Sequence, residues 1–248
     1  MIFSCKEEPK KNNCESRIIN TIFLKKYLIV KDSCNLYKGV NKVKYYDNNR
    51  LIMSGFDDRM FKQGEWSFYD NDGKEIIKGV FIDSKPTGDW KFKSQDISWN
   101  IYDNENKGYA ISAPKKWQLI DNDKEENTIT ISDTSSIEEY NLKIDVTSAS
   151  IENMNISVKG FVEETIKLYK ENEAVSNIEN KKLILKGVDV SYELQYNYND
   201  ETGNYLHKEY IYSFKGMVYI LSSSLNEKSN YDYEIIDEIM LTSFKITK

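Results

Sequence analysis

The chain has a single histidine, His207, and three cysteines, Cys5, Cys14 and Cys34. A zinc site calls for several His or Cys ligands held close together, and a Ser-His-acid hydrolase usually carries a glycine-flanked nucleophile. Neither pattern occurs here, and no glycine-rich phosphate loop does. Carboxylates are plentiful, 40 against 34 basic residues, with pairs at Asp57-Asp58, Asp121 with Asp123, and Asp200-Glu201. These lack the regular loop spacing of a calcium site and read as solvated turns. A glycosidase needs two opposed carboxylates across a cleft, which spacing alone does not reveal. His207 stands two residues from Glu209 on an expected strand, so both side chains point to one side. One reading is a pH-sensitive contact; the other is a half-exposed strand residue. The expectation is a protein that is not an enzyme, with no cofactor and no metal.

Aromatic residues are the other candidates for function. Tyr192, Tyr196, Tyr198, Tyr205, Tyr210, Tyr212 and Tyr219 crowd the late part of the chain. Alternation places Tyr192, Tyr196 and Tyr198 on one side of their strand, and Tyr210 with Tyr212 on one side of the next. Flat aromatic area of this kind binds protein or glycan, although strand propensity also enriches tyrosine. With Trp66, Tyr69, Trp90 and Phe92, the residues Tyr196, Tyr198, Tyr210 and Tyr212 form the candidate binding surface.

The elements that must position these residues follow from composition and period. A chain of 248 residues with a net charge of −6 is long enough for two domains and carries no basic face for nucleic acid. Only Arg17, Arg50 and Arg59 are arginine, so bidentate phosphate forks are scarce. The longest apolar runs, Ile22-Phe23-Leu24 and Tyr27-Leu28-Ile29-Val30, are split by Lys25-Lys26 and are too short to span a bilayer.

The chain opens Met1-Ile2-Phe3-Ser4-Cys5-Lys6-Glu7-Glu8-Pro9. Apolar residues, a small one, a cysteine and then a polar tether resemble the lipobox of bacterial lipoproteins. Lys6-Glu7-Glu8 resembles the signal that sends Bacteroidota lipoproteins to the cell surface. The resemblance implies lipid on Cys5, an outer-membrane lipoprotein of the cell envelope, periplasmic or surface-exposed, and a membrane contact only through that anchor. No basic and apolar leader precedes Ile2, so Met1 is expected to be internal to a longer precursor, or the leader trimmed. Cys14 and Cys34 remain as a candidate disulfide or as two free thiols. A bridge would close a loop of 34 − 14 = 20 residues, worth about 3 kcal/mol.

Residues 43–93 repeat. Gly64-Glu65-Trp66 returns as Gly88-Asp89-Trp90, and Gly55 returns as Gly79, each 24 positions on (88 − 64 = 79 − 55 = 24). A fixed period of this size marks a stacked-hairpin array. Asn71-Asp72-Gly73 supplies a tight turn, Asn48-Asn49 supplies the corresponding one, and Lys85-Pro86-Thr87-Gly88 is expected to turn into a third, unfinished unit. Trp66 and Trp90 could form an aromatic row that grips a partner, or stack against the repeat and hold the sheet together. These anchors resemble the MORN-like repeats of the YwqK antitoxin type. That resemblance implies a protein- or lipid-contacting or toxin-neutralising module without catalytic apparatus.

From Ile97 the period does not return. Strands are expected at residues 128–132 and 141–147, a helix capped by Ser157 with Val158, Phe161, Val162, Ile166 and Tyr169 on one face, and four further strands. A closing helix near residues 231–240 turns Ile235, Ile236, Ile239 and Met240 inward. Tyr109-Ala110-Ile111-Ser112-Ala113-Pro114-Lys115-Lys116-Trp117, the order of elements and Ser243-Phe244 resemble the PsbP-like (Mog-type, DcrB-like) fold, whose members are non-enzymatic adaptors or small binding proteins.

The expected fold class is therefore α+β: an N-terminal antiparallel β-hairpin repeat sheet plus a C-terminal antiparallel sheet with two packed helices. The expected division is 1–16 tether, 17–96 repeat sheet and 97–248 PsbP-like domain. The expected function is a non-catalytic envelope lipoprotein acting as a protein-binding adaptor. The alternative is an immunity protein that neutralises a toxin through the repeat sheet.

Overall fold

The computed structural model describes residues 15–20, 26–37, 40–58, 61–93, 95–122, 128–134, 140–150, 157–183, 189–229 and 231–247. Cys5 and Cys14, and with them the lipid site and the Cys14–Cys34 pair, lie outside the described residues. The contacts group the chain into two units, one taking the described residues through Lys85 and the other running from Pro86.

The first unit is a meander of six antiparallel strands: β1 (Glu15–Asn20), β2 (Lys26–Tyr37, which holds Cys34), β3 (Val40–Asp47), β4 (Arg50–Asp58), β5 (Phe61–Tyr69) and β6 (Glu75–Ile82). Asn48 and Asn49 are both left-handed, with φ of 47° and 66°, as a two-residue hairpin turn requires. The next left-handed pair is Asp83-Ser84, so the turn expected at residues 85–88 falls just before them. Lys85–Lys91 is itself a strand, β7.

The 24-residue period has a geometric content. Ser54 pairs with Ser67 and Phe56 with Gln63, so Gly64, Glu65 and Trp66 stand opposite the one residue Gly55. Gly64 takes φ 64°, and Gly88, its counterpart in the next copy, takes φ 68°. Gly64-Glu65-Trp66 is thus a bulge on a glycine that tolerates the left-handed region, and Gly88 repeats that backbone conformation. The extra residues turn the indole flat onto Gly55, where a Cβ would lie 2.2 Å from Trp66 Cδ2. A second irregularity recurs in step, at Ile52 between the Tyr45–Met53 and Tyr46–Leu51 pairs and at Ile76 between Phe68–Ile77 and Tyr69–Glu75.

The second unit contains β7, β8 (Asp96–Asn104), β9 (Tyr109–Pro114) and the short β17 (Lys245–Ile246), paired antiparallel as β7-β8-β9-β17. It also contains a seven-stranded antiparallel sheet ordered β10-β11-β12-β16-β15-β14-β13. These strands are β10 (Gln118–Asn122), β11 (Thr128–Ser132), β12 (Leu142–Ser150), β13 (Val175–Leu183), β14 (Val190–Asp200), β15 (Gly203–Phe214) and β16 (Met217–Asn226). Helix α1 (Val158–Glu171) starts at Ser157, whose hydroxyl accepts the Gly160 N–H at 3.1 Å. It packs Val158 and Val162 on Tyr192, Leu194, Ile211 and Val218. Helix α2 (Tyr231–Ser243) buries Ile235, Ile236, Ile239 and Met240, and Ser243 Oγ accepts the Ser112 N–H at 2.9 Å, tying the helix end to β9.

The α+β expectation is corrected. The described residues form seventeen strands and two short helices, so the chain is predominantly β. Both helices occur where periodicity put them, but strands extend well beyond the expected runs. β13 starts at Val175 and β10 follows the turn at Trp117, both in polar sequence that no apolar alternation marks.

Candidate functional site

The only histidine sits in the second unit, and the tyrosines close around it. In the β14–β15–β16 register Tyr196 lies opposite His207 and His207 opposite Ser224, while Leu194 lies opposite Glu209. Tyr196, His207, Glu209 and Ser224 therefore share the sheet face that α1 covers. The imidazole stacks on the Tyr196 ring at 5.1 Å and 3°, with Tyr198 edge-on at 5.5 Å and Tyr205 at 6.2 Å. Tyr140 lies against Tyr205 at 5.3 Å, under the Lys143 ammonium.

Hydrogen bonding fixes the rest. His207 Nδ1 is 3.0 Å from Ser224 Oγ, while its buried Nε2 has no hydrogen-bond partner. Burial, helped by the Lys143 charge, brings the imidazole down to about 4, so at neutral pH it is uncharged. Glu209 accepts two phenol hydroxyls on one oxygen, from Tyr169 of α1 at 2.6 Å and from Tyr196 at 2.9 Å. Burial raises the carboxyl while the two donors work against that rise. Both phenols are pushed up, first by burial and next by the Glu209 charge. Glu209 is thus a buried acceptor that pins the last turn of α1 to the sheet.

The opposite face of the same strands holds Tyr210, Tyr212 and Tyr219 beneath α2 and Phe244. Tyr212 stacks on Phe244 at 5.4 Å, Tyr109 meets Tyr219 at 6.2 Å, and Tyr210 donates to Glu193 at 3.0 Å. Among the described residues no group of three or more His, Cys, Asp and Glu side chains is placed to hold a metal ion.

The residues singled out in the sequence fall mostly in cores. Trp66 and Trp90 are at 0% exposure, and Phe92, Tyr196, Tyr210 and Tyr212 are also buried; Tyr69 and Tyr198 are half-buried. Trp66 packs between Tyr45 and Phe81, and its Nε1 donates to the Phe56 and Gln63 carbonyls at 3.1 and 3.2 Å. Trp90 packs on Phe92 and Trp99. Tyr69 meets Ser54 Oγ at 3.1 Å. These contacts bring Tyr196 and Tyr198 together around His207, put Tyr210 beside Tyr212, and leave the two tryptophans as core anchors. Tyr169 as a partner of Glu209 was missed, although its place in the last turn of an amphipathic helix was readable. Lys208, with Asp237 and Ser223, was missed as well.

What the outside offers is different. Val80 and Ile82 of β6 are 39% and 57% exposed, Ile101 of β8 is 51% exposed and Leu168 of α1 is 63% exposed. A cavity of about 250 Å³ lies among Asn106, Lys107, Phe214, Lys215, Met217 and Tyr219, where Tyr219 donates to the Lys107 carbonyl at 2.9 Å. No helix among the described residues is long and apolar enough to cross a membrane.

No family model and no curated protein matches the chain. Among solved structures, it is similar to the cyanobacterial PsbP protein CyanoP from Synechocystis sp. PCC 6803, at 14% identity and a TM-score of 0.46, covering 60% of this chain and 93% of that one. It is also similar to a protein of unknown function from Pseudomonas aeruginosa, at 9% identity and a TM-score of 0.41, covering 58% and 94%. A structure from Bacteroides thetaiotaomicron is matched at 11% identity and a TM-score of 0.38, covering 57% of this chain and 46% of that one. A PsbP protein is thus among the structures that this chain is similar to.

Proposed function

We propose that the protein is a non-catalytic binding module of a bacterial cell envelope, held by lipid on Cys5, which recognises a protein partner through the outward face of β6. One observation carries the reading. Val80 and Ile82 are exposed large hydrophobics on the strand whose inward residues, Ile77 and Phe81, are at 0% exposure. They lie beside the exposed Lys78–Glu65 ion pair at 2.9 Å, and Glu65 stands opposite Val80 in the register. Branched aliphatics exposed on one side of a strand beside an ion pair have the composition of a protein contact. The buried, tyrosine-bound Glu209 and the uncharged His207 fit a scaffold role for the sheet beneath α1.

The test is cross-linking and pull-down from intact cells with the wild type and with Val80→Glu/Ile82→Glu. Both positions are exposed, so the changes leave folding nearly untouched. The expected result is an envelope protein captured by the wild type and lost with the variant. An unchanged set of captured proteins, or capture of cytoplasmic proteins alone, refutes the reading. A toxin as the captured partner makes the module an immunity protein. Palmitate labelling undiminished in Cys5→Ala removes the tether.

A further inference from the structure

Three side chains from three elements meet on the sheet face that α2 covers. Lys208 Nζ of β15 lies 2.5 Å from Asp237 Oδ2 of α2, and Ser223 Oγ of β16 donates to Asp237 Oδ1 at 2.5 Å. Asp237 and Ser223 are at 0% exposure, and the Lys208 side chain keeps 15%. Lys208 stands opposite Ser223, between the pairs Leu206–Leu225 and Tyr210–Leu221, with Leu221, Leu225 and Tyr210 buried. The ion pair is thus held in an apolar wall, away from the water that would otherwise solvate it. A neutral amide joining Lys208 Nζ to Asp237 Cγ would abolish the cost of that lost solvation.

We propose that Lys208 and Asp237 condense to an isopeptide bond, joining α2 covalently to β15. The atoms balance without an oxidant or co-reactant. One proton passes from Nζ to Oδ2 along their hydrogen bond, giving an amine and a carboxylic acid. The Nζ lone pair attacks Cγ, and Oδ1 collects the negative charge under the Ser223 hydroxyl, as an oxyanion donor would hold it. A second proton from Nζ goes to Oδ2, the Cγ–Oδ2 bond breaks and water leaves. The product is an amide with its carbonyl oxygen still accepting from Ser223. Burial works against the ammonium, while Asp237, Glu238 and Glu234 work for it and prevail, so the reaction proceeds through the minor neutral pair. It needs only one turnover in the life of the molecule. Holding the amine against the carboxyl makes the step intramolecular.

The experiment is denaturing mass spectrometry of the full purified chain, intact and after trypsin. The bond predicts a mass lower by about 18 Da, one water, and a branched peptide holding both Lys208 and Asp237. The branched peptide is independent of any processing at the N-terminus. Lys208→Arg should keep the full mass and give no branch. Asp237→Asn, which would expel ammonia, should lose about 17 Da instead. A wild type of full mass, cleaved by trypsin after Lys208 into linear peptides, overturns the proposal.

Discussion

Because His207 is the chain's only histidine, its protonation can be followed without ambiguity and converted into stability. An imidazole that titrates at 6.5 in the unfolded chain and near 4 in the fold stays neutral in the native state while the unfolded state takes up a proton. Its contribution is therefore fully present above pH 6.5, falls as pH drops from 6.5 to 4, and is gone below that. The slope inside the window approaches 1.4 kcal/mol per pH unit, and the total is about 3 kcal/mol. Glu209 acts in the opposite sense, since burial raises its carboxyl and the native state takes up that proton first. The comparison is therefore made as a difference between the wild type and His207→Gln, in which the Glu209 contribution cancels. Urea unfolding at pH 7, 6, 5 and 4 should show the wild type losing stability relative to the variant by about 3 kcal/mol. The His207 Cε1 proton resonance of the folded chain should hold its neutral position down to near pH 4. A midpoint close to 6.5 in that resonance, or parallel pH profiles for the two proteins, would refute the argument that burial in the tyrosine box governs this group.

Further outcomes follow from the packing. Gly55→Ala should cost about 3 kcal/mol in thermal or urea unfolding, because the new methyl meets the Trp66 ring at 2.2 Å. Gly73→Ala, with open space but φ +76°, should cost only about 1 kcal/mol. Tyr196→Phe removes one of two donors to the buried Glu209 and should destabilise the chain by about 1–3 kcal/mol at pH 7, by an amount that shrinks on acidification as the carboxyl takes up its proton. Ser157→Ala should cost about 1 kcal/mol and loosen amide protection in the first turn of α1.

The sequence made the repeat legible because its spacing is a geometric requirement: a tryptophan must reach a glycine one strand away. The turn at Asp83-Ser84 was not legible, since Asp and Ser enter the left-handed region without the glycine or asparagine that signals it. The cap and apolar face of α1, and the inward residues of α2, followed from helical spacing. The tyrosines misled for a physical reason. Tyr196 and Tyr198 have the opposite facing from Tyr210 and Tyr212, and alternation alone gives each set a side of its own without saying what covers it. Large side chains of both facings on neighbouring strands are instead the mark of a sheet covered on both faces, here by α1 on one side and by α2 with Phe244 on the other. Lys208 stayed hidden because a single lysine on a strand reads as a solvent-facing residue, and only the fold reveals the aspartate 29 positions on (237 − 208) that lies against it.

The left-handed glycine that opens each Gly-acid-Trp triplet makes the array phase-locked. Because Gly64 sets where β5 slips relative to β4, a duplication of the 24-residue block that holds Gly55 and Trp66 would bring its own indole and its own receiving glycine. A deletion of another length between Gly55 and Trp66 would put the indole over a side chain. Natural variants of such a chain should therefore differ in length by whole blocks, and an engineer could extend the platform by the same quantum.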